Sequence, residues 1–297
     1  MAKKIVKKIK QMDFAAVFAF VVLALYSFIF LYMLYFAVIT SVKNNYDFAF
    51  DHNIFGLPNT AKYPLSFENF ESGMEYMKIQ IRGREYAGFF AQFVYALMYA
   101  LGCTFLNVFS KVSAAYFCSK YDTKFGRILY SVAVVAMILP VVGTMASTIR
   151  IMRMLNIYNT YHGIVIYNAS FWGTYFLVFY ATFKGIPDTY AEAARMDGAG
   201  HFMIFFKIHL PLIMPSVFAV SILQFIMFWN DYQTPMIYLE SMPTISYGLY
   251  RFSTLERASN APALLSASLL VCIPIVILFI IFKNVIMQNV TAGGIKG

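Results

Sequence analysis

Charged side chains are scarce in this chain. Asp, Glu, Lys and Arg make up 12% of its 297 residues, against about 25% in an ordinary soluble domain, which argues against a fold surrounded by water on every side. Cysteine is scarcer still. Cys103, Cys118 and Cys272 lie in or beside apolar runs with no paired positions outside them, so no disulfide framework is implied. His52, His162, His201 and His209 show no metal-ligand spacing with other ligand types. No G-x-x-x-x-G-K-S/T phosphate loop occurs, which leaves ATP binding and hydrolysis to other chains. No nucleophile stands beside a candidate base. The chain therefore offers no catalytic residue, no metal site and no resident cofactor, and it is not expected to be an enzyme by its own residues.

Apolar surface is abundant. Hydrophobic residues make up 60% and aromatic residues 19% of the chain. They gather into six charge-free runs at 14–40, 87–110, 128–148, 163–183, 212–230 (with an extension toward 239) and 261–282. Each is about the length that spans a bilayer as a helix, roughly 20 residues. The expected fold is an all-α membrane protein with six transmembrane helices, a single spanning domain over 14–283. Pro140 falls in the third run and predicts a kink there, of the kind that neighbouring groups can satisfy inside a membrane.

Basic residues set the orientation. With the N-terminus inside, the short inner segments carry the excess of Lys and Arg and the outer segments balance. The formal net charge of +9 then resides on the inner face and Lys111, as the positive-inside rule requires. Both termini are cytoplasmic in this arrangement. Lipid headgroups are sufficient partners for such charge, and nucleic acid is not expected as one. Residues 1–13, with Lys3, Lys4, Lys7, Lys8 and Lys10, form a basic cytoplasmic start. The long apolar run that follows lacks a clear cleavage site and reads as a retained first span rather than a signal peptide.

Between the first two runs, 43–86 forms an outer loop. Its 53–64 portion is rich in turn residues. Beyond Ser66, a plausible N-cap, the spacing of Phe67, Phe70, Met74 and Met77 predicts an amphipathic helix on the membrane surface. The same face is also suited to an external partner, and the sequence leaves both open. Lys111, one or two turns from the inner end of the second run, can extend its ammonium to the headgroups or stay buried and serve transport.

The fourth run carries Asn168, Ser170, Trp172 and Gly173, suited to helix contact or a polar path. The fifth carries Gln224 and, toward its outer end, Trp229, Asn230, Asp231 and Gln233. A flat ring beside amide and carboxylate groups suits a sugar, whose C–H faces take the ring and whose hydroxyls take the polar groups. The competing reading is an interfacial aromatic belt. Asn168, Gln224, Trp229, Asn230 and Asp231 are the candidate substrate path.

The stretch 192–215 is a charged, glycine-punctuated island between apolar runs. Alanines favour a helix after Pro187-Asp188, Gly198 and Gly200 end it, and a second short helix runs to His209. Leu210-Pro211 is expected to turn the chain back toward the membrane. Helix, tight turn, helix at a membrane surface is a docking device.

Glu192-Ala193-Ala194, Gly198, Ile208 and Leu210-Pro211 stand at the spacing of the EAA loop, and the chain resembles the permease subunits of ABC importers that carry it. Asn-Thr-Tyr at 159–161 followed by Gly163 is similar to an outer turn of sugar-importing permeases. Thr291, Ala292, Gly293, Lys296 and Gly297, at the end of an expected extended tail over 284–297, resemble the terminus of the maltose-type branch.

The resemblance implies a coupling loop over 184–211, between spans 4 and 5, that meets ATPase subunits through Glu192, Ala193, Ala194, Asp197, Gly198, Ile208, Leu210 and Pro211. It implies that the tail lies along the ATPase interface and that the outer loop 240–260 reaches toward a binding protein. The implied partners are a second homologous permease chain, two ATPase subunits holding ATP and Mg, and an extracellular or periplasmic solute-binding protein. The implied setting is the bacterial or archaeal inner membrane and the implied cargo an oligosaccharide or related sugar. A glycerol phosphate ester as cargo, or a non-transporting receptor or scaffold, is the alternative.

Overall fold

The computed structural model describes residues 14–51, 53–81, 85–139, 143–254 and 260–292. The basic start at 1–13, Pro140, Arg257, Gly293, Lys296 and Gly297 fall outside them. The chain divides into two compact units, Met1–Tyr76 with Phe252–Leu270 and Met77–Arg251 with Val271–Gly297.

The first unit opens with α1, Phe14–Ser41. Phe18, Leu23, Phe28, Leu31 and Met33 are all exposed on it, and a helix apolar all round belongs in lipid or against another apolar chain. Asp47 lies in the short α2, Asn45–Ala49. Its buried carboxylate accepts from Asn53 Nδ2 at 3.0 Å and from the Asn59 amide at 2.9 Å, which folds the turn-rich segment onto itself. The predicted surface helix exists as α3, Glu68–Tyr76, but it begins two residues after Ser66, and Phe70 and Met74 of the predicted stripe are only half-buried.

Asn69 and Gly73 are the buried positions of α3. Phe67 is exposed and Met77 lies beyond the helix end. The reason is the C-terminal end of α1, whose orphan carbonyls need donors. Asn69 Nδ2 donates to Ser41 O at 2.9 Å and to Lys43 O at 2.7 Å. A Cβ at position 73 would lie 2.8 Å from the Ala263 carbonyl oxygen, so the close approach requires glycine.

The second unit departs from an all-helical expectation at one hairpin, where β1 (Ile79–Gln80) pairs antiparallel with β2 (Tyr86–Ala87). Its central element is α4, Phe89–Lys120, of 32 residues, about 48 Å at the helical rise. Val108, Val112, Ala115 and Tyr116 form its inner stripe. They pack with Phe176, Phe179 and Phe183 of α8 (Thr174–Lys184) and with Ile213 and Val220 of α11 (Leu210–Asn230).

Two of the six predicted spans are not continuous helices. The third divides into α5, Lys124–Ile138, and α6, Met145–Met154. Leu139, with ψ 118°, is extended, as the residue before a proline is driven to be. The run is therefore broken where a kink was predicted. The fourth divides into α7, Tyr161–Tyr167, and α8. Gly173 has φ 120°, a conformation open to glycine and strained for other residues.

The Asn-Thr-Tyr pattern has a local cause. Asn159 sits at φ 57°, and the Thr160 hydroxyl caps α7 by accepting from the Gly163 amide at 3.2 Å.

After α9 (Thr189–Met196) and α10 (His201–Ile204), a π-helical turn, Phe205–His209, joins α10 to α11 without a non-helical residue between them. Leu210-Pro211 does not turn the chain back, contrary to expectation. Proline lacks the amide donor and its ring clashes with the carbonyl four residues earlier. A π turn, in which the Leu210 amide reaches back to Phe205 O, widens the helix where Pro211 enters.

Two short helices follow, α12 (Gln233–Tyr238) and α13 (Ile245–Thr254). The last helix, α14, runs Ala261–Ala292, so Thr291 and Ala292 are helical where an extended tail was predicted. No breaker stands between Lys283 and Gly293 to stop it. Among the described residues, four helical stretches are long and apolar enough to cross a membrane: Ala16–Ser41, Phe89–Lys120, His201–Asn230 and Ala261–Lys283.

Candidate functional sites

The segment 188–209 is a closed local motif. At the end of α9 the Gly198 amide donates to Arg195 O at 3.0 Å and the Ala199 amide to Ala194 O at 2.9 Å, the pair of bonds that defines a Schellman cap. Gly198 carries the required positive φ, 81°, and open space surrounds its missing Cβ. Its role is purely one of backbone conformation.

Ala191 and Ala194 pack on Ile204, with Ala199 and Ile208 at the margin. The two helices thus share a small core, built by alanines three apart on one face. Ala191 was not singled out in the sequence, although that spacing marks it.

The opposite face is free. Glu192, Ala193 and Asp197 are exposed, and Glu192 forms no hydrogen bond or ion pair among the described residues. Met196 is 89% and Phe202 82% exposed. Leu210 is half-buried and Pro211 exposed on the continuing helix.

A second layer fastens this motif to α4. Lys120 Nζ donates to Asp188 Oδ1 at 2.7 Å and to Ile186 O at 2.6 Å, and Tyr121 Oη lies 3.0 Å from His201 Nδ1. Lys120 holds the Asp188 carboxyl below the usual carboxylate range. Asp188 precedes α9 without a side-chain bond to its amides, because its carboxylate is engaged by Lys120. Between loop and α4 remains a cavity of about 150 Å³ lined by Tyr116, Lys120, Asp188, Glu192, Arg195 and His209.

The predicted substrate-path residues separate into two groups. Asn168 and Gln224 line one cavity of about 500 Å³, together with Asn107, Lys111, Ser170 and Trp172. The break in the fourth run makes this cavity polar. Asn107 Nδ2 donates to Asn168 O at 2.7 Å and Lys111 Nζ to Ser170 O at 3.1 Å, so side chains of α4 satisfy carbonyls that a continuous helix would have satisfied itself.

Lys111 is 3% exposed, and its Nζ lies 2.6 Å from Asn107 Oδ1. The headgroup reading for Lys111 fails because α4 continues for nine more residues. Its side chain turns inward instead.

Trp229, Asn230 and Asp231 lie elsewhere. The Trp229 indole is 1% exposed, packs on Phe93 and Phe225, and donates to Val271 O at 3.2 Å. It is not available to cover a sugar ring. Asn230 is exposed and its Nδ2 donates to Ile226 O at 2.9 Å. Asp231 accepts from the Tyr99 hydroxyl at 2.8 Å and from the Thr234 amide at 3.0 Å, joining α4 to the start of α12. The segment near 240–254 is likewise packed: Thr244 and Ile245 are buried, and the Ser246 hydroxyl donates to Trp229 O.

Comparison with known proteins agrees with this architecture. Residues 111–292 match the family described as binding-protein-dependent transport system inner membrane component. The arabinooligosaccharides transport system permease protein AraQ of Bacillus subtilis is 30% identical over 212 residues, covering 70% of this chain and 74% of the relative. The melibiose/raffinose/stachyose import permease protein MelC of the same organism is 28% identical over 188 residues, 62% of this chain and 68% of the relative. The crystal structure of a bacterial ABC transporter involved in the import of the acidic polysaccharide alginate shares the fold, with a TM-score of 0.72 at 20% identity over 91% of this chain and 95% of that one. The chain belongs to the family of binding-protein-dependent transport system inner membrane components, as a permease subunit of the ABC importer type.

Proposed function

We propose that this chain is one of two related permease subunits of an ATP-driven importer for an oligosaccharide or related sugar, and that 184–211 is its coupling loop. The observation that carries this reading is the exposed face of the helix–Schellman turn–helix motif. Met196 and Phe202 project from a unit that has its own small core and is pinned to α4, and exposed Glu192 stands at the rim of the cavity between them. In this reading two ATPase subunits bind ATP and Mg and dock on that face, and Glu192 meets a basic group there.

Movement of the docked loop has a direct route into the membrane. His201–Asn230 is one helical stretch of 30 residues, about 45 Å long, and Gln224 on it lines the polar cavity. Closure of the ATPases would swing this rod and the α4 contact together. ATP then favours one access state by its differential affinity for the two. The broken third and fourth runs count as spans in this arrangement, which gives six, with both termini cytoplasmic. The cargo class rests on sugar-importing relatives such as those named above.

A mild-detergent pull-down of the tagged chain from its native membrane, with mass spectrometry of what co-purifies, tests the reading. Recovery of an ATPase, a second permease and a solute-binding protein is expected. Recovery without any ATPase, where other importers stay intact, would overturn it.

A further inference from the structure

The ammonium of Lys111 is the unusual group of the polar cavity. It is 3% exposed, and its neighbours are all dipoles: Asn107 Oδ1 at 2.6 Å, Ser170 O at 3.1 Å and Ser170 Oγ at 3.3 Å. Among the described residues no carboxylate pairs with it. Dipoles hold such a group in place, but a buried charge lacking a counter-charge remains costly. An arriving anion relieves that cost.

Other features of the same cavity point to a ligand. Gln224, 4% exposed, lines it, and its Oε1 has no hydrogen-bond partner, which a hydroxyl could supply. The Trp172 ring is part of the wall, and its apolar face suits a pyranose. The volume, about 500 Å³, is in the range of small-molecule sites, roughly 300–1,000 Å³. The longest contact of the ammonium, to Ser170 Oγ, is the one that a ligand oxygen displaces most readily.

We propose that this cavity is a substrate subsite for a saccharide carrying an anionic group, a carboxylate or a phosphate ester, with Lys111 as its counter-ion. The proposal rests on the sugar-importer reading and narrows its cargo. Selection is by charge: a neutral oligosaccharide leaves the ammonium unpaired, whereas an acidic one pairs with it where water is sparse.

Uptake is measured in cells producing the whole importer, with a strain lacking this chain as background. The probes are maltotriose and raffinose as neutral sugars, trigalacturonate as carboxylate and glucose 1-phosphate as phosphate ester. Wild type is expected to take up at least one acidic probe tenfold faster than either neutral one, and which acid enters identifies the anionic group. Lys111→Met is expected to lose that uptake at least tenfold, and Lys111→Arg to keep most of it.

Co-purification of the ATPase verifies that each variant assembles. Ser170→Asp, which supplies an internal counter-charge, reads the same interaction should Lys111→Met fail to assemble, and it too is expected to lose acidic uptake. Uptake of neutral probes alone, or acidic uptake within twofold of wild type in the assembled variants, overturns the proposal and leaves the importer reading standing. Uptake of no probe overturns the proposal, and the importer reading then falls only if no ATPase co-purifies.

Discussion

Lys120 Nζ lies 2.7 Å from Asp188 Oδ1, so the last residue of α4 grips the residue that precedes α9. The Lys120 side chain is 7% exposed while that of Asp188 is 72% exposed. The cation is thus the anchored partner, and it binds the Ile186 carbonyl as well. This contact ties the helix–turn–helix motif to the end of α4.

The pair has a defined pH window. The Asp188 carboxyl is lowered in the folded chain, first by its hydrogen bond with Lys120, so the unfolded chain binds this proton more tightly. The pair's stabilisation is full above the ordinary aspartate pKa of about 3.9 and is lost as pH falls through the lower folded value. Asp188→Asn is expected to cost about 0.2–1 kcal/mol, since the carboxylate is largely screened by solvent. In denaturation series, the difference from wild type should stay constant from about pH 8 to about pH 5 and shrink only in acid. A difference that grows on acidification contradicts the assignment.

Gly198 allows the backbone to be separated from the interface. Alanine meets no atom there, and its cost is that of a left-handed residue, about 1–2 kcal/mol. Gly198→Asn should cost less, since Asn tolerates this region. Gly198→Trp likewise has no atom within 4 Å of its Cβ, and on the docking reading its ring would meet the docked ATPase. Thermal unfolding should rank Asn as the mildest change, while uptake by the whole importer should be lost most completely in Trp. Equal uptake in all three would sink the docking role.

Trp229→Phe tests the distinction between core and path. It removes the indole donor to Val271 O, a carbonyl that stays within the α14 ladder, and keeps most of the ring, at an expected loss of about 0.5–1.5 kcal/mol. Sugar preference among transported probes should not change. A variant that unfolds no earlier but transports a different range of sugars would return Trp229 to the substrate path.

Gly73→Ala tests the packing of α3. The added Cβ meets the Ala263 carbonyl oxygen at 2.8 Å and Ala267 Cβ at 3.2 Å, so backbone must shift, at about 1–3 kcal/mol. Proteolysis of the outer segment in membranes should accelerate. Unchanged proteolysis would mean that α3 does not seat as described.

What could be read in advance was what neighbouring residues decide. The Schellman turn at Gly198 needs only the residues around it, and the apolar runs need only composition. Leu139 also follows from its neighbour, but the proline suggested a bend, and an interruption was the outcome. The polar cavity was not legible because its bonds join residues far apart in the chain. Lys111 meets Ser170 at a separation of 59, and Asn107 meets Asn168 at 61. Trp229 looked like a ligand platform beside Asn230 and Asp231, and only its packing on Phe93 showed a core residue. Of the candidate substrate-path residues, Asn168 and Gln224 do share a cavity.

The most direct test of the account is a photo-cross-linking residue placed at Met196, the exposed tip of α9, in the whole importer within its native membrane. The account predicts a cross-link to the ATPase subunit, with an efficiency that changes when ATP is bound. A cross-link formed only with lipid, or none to an ATPase that co-purifies with the chain, would contradict the claim that this motif couples ATP to transport.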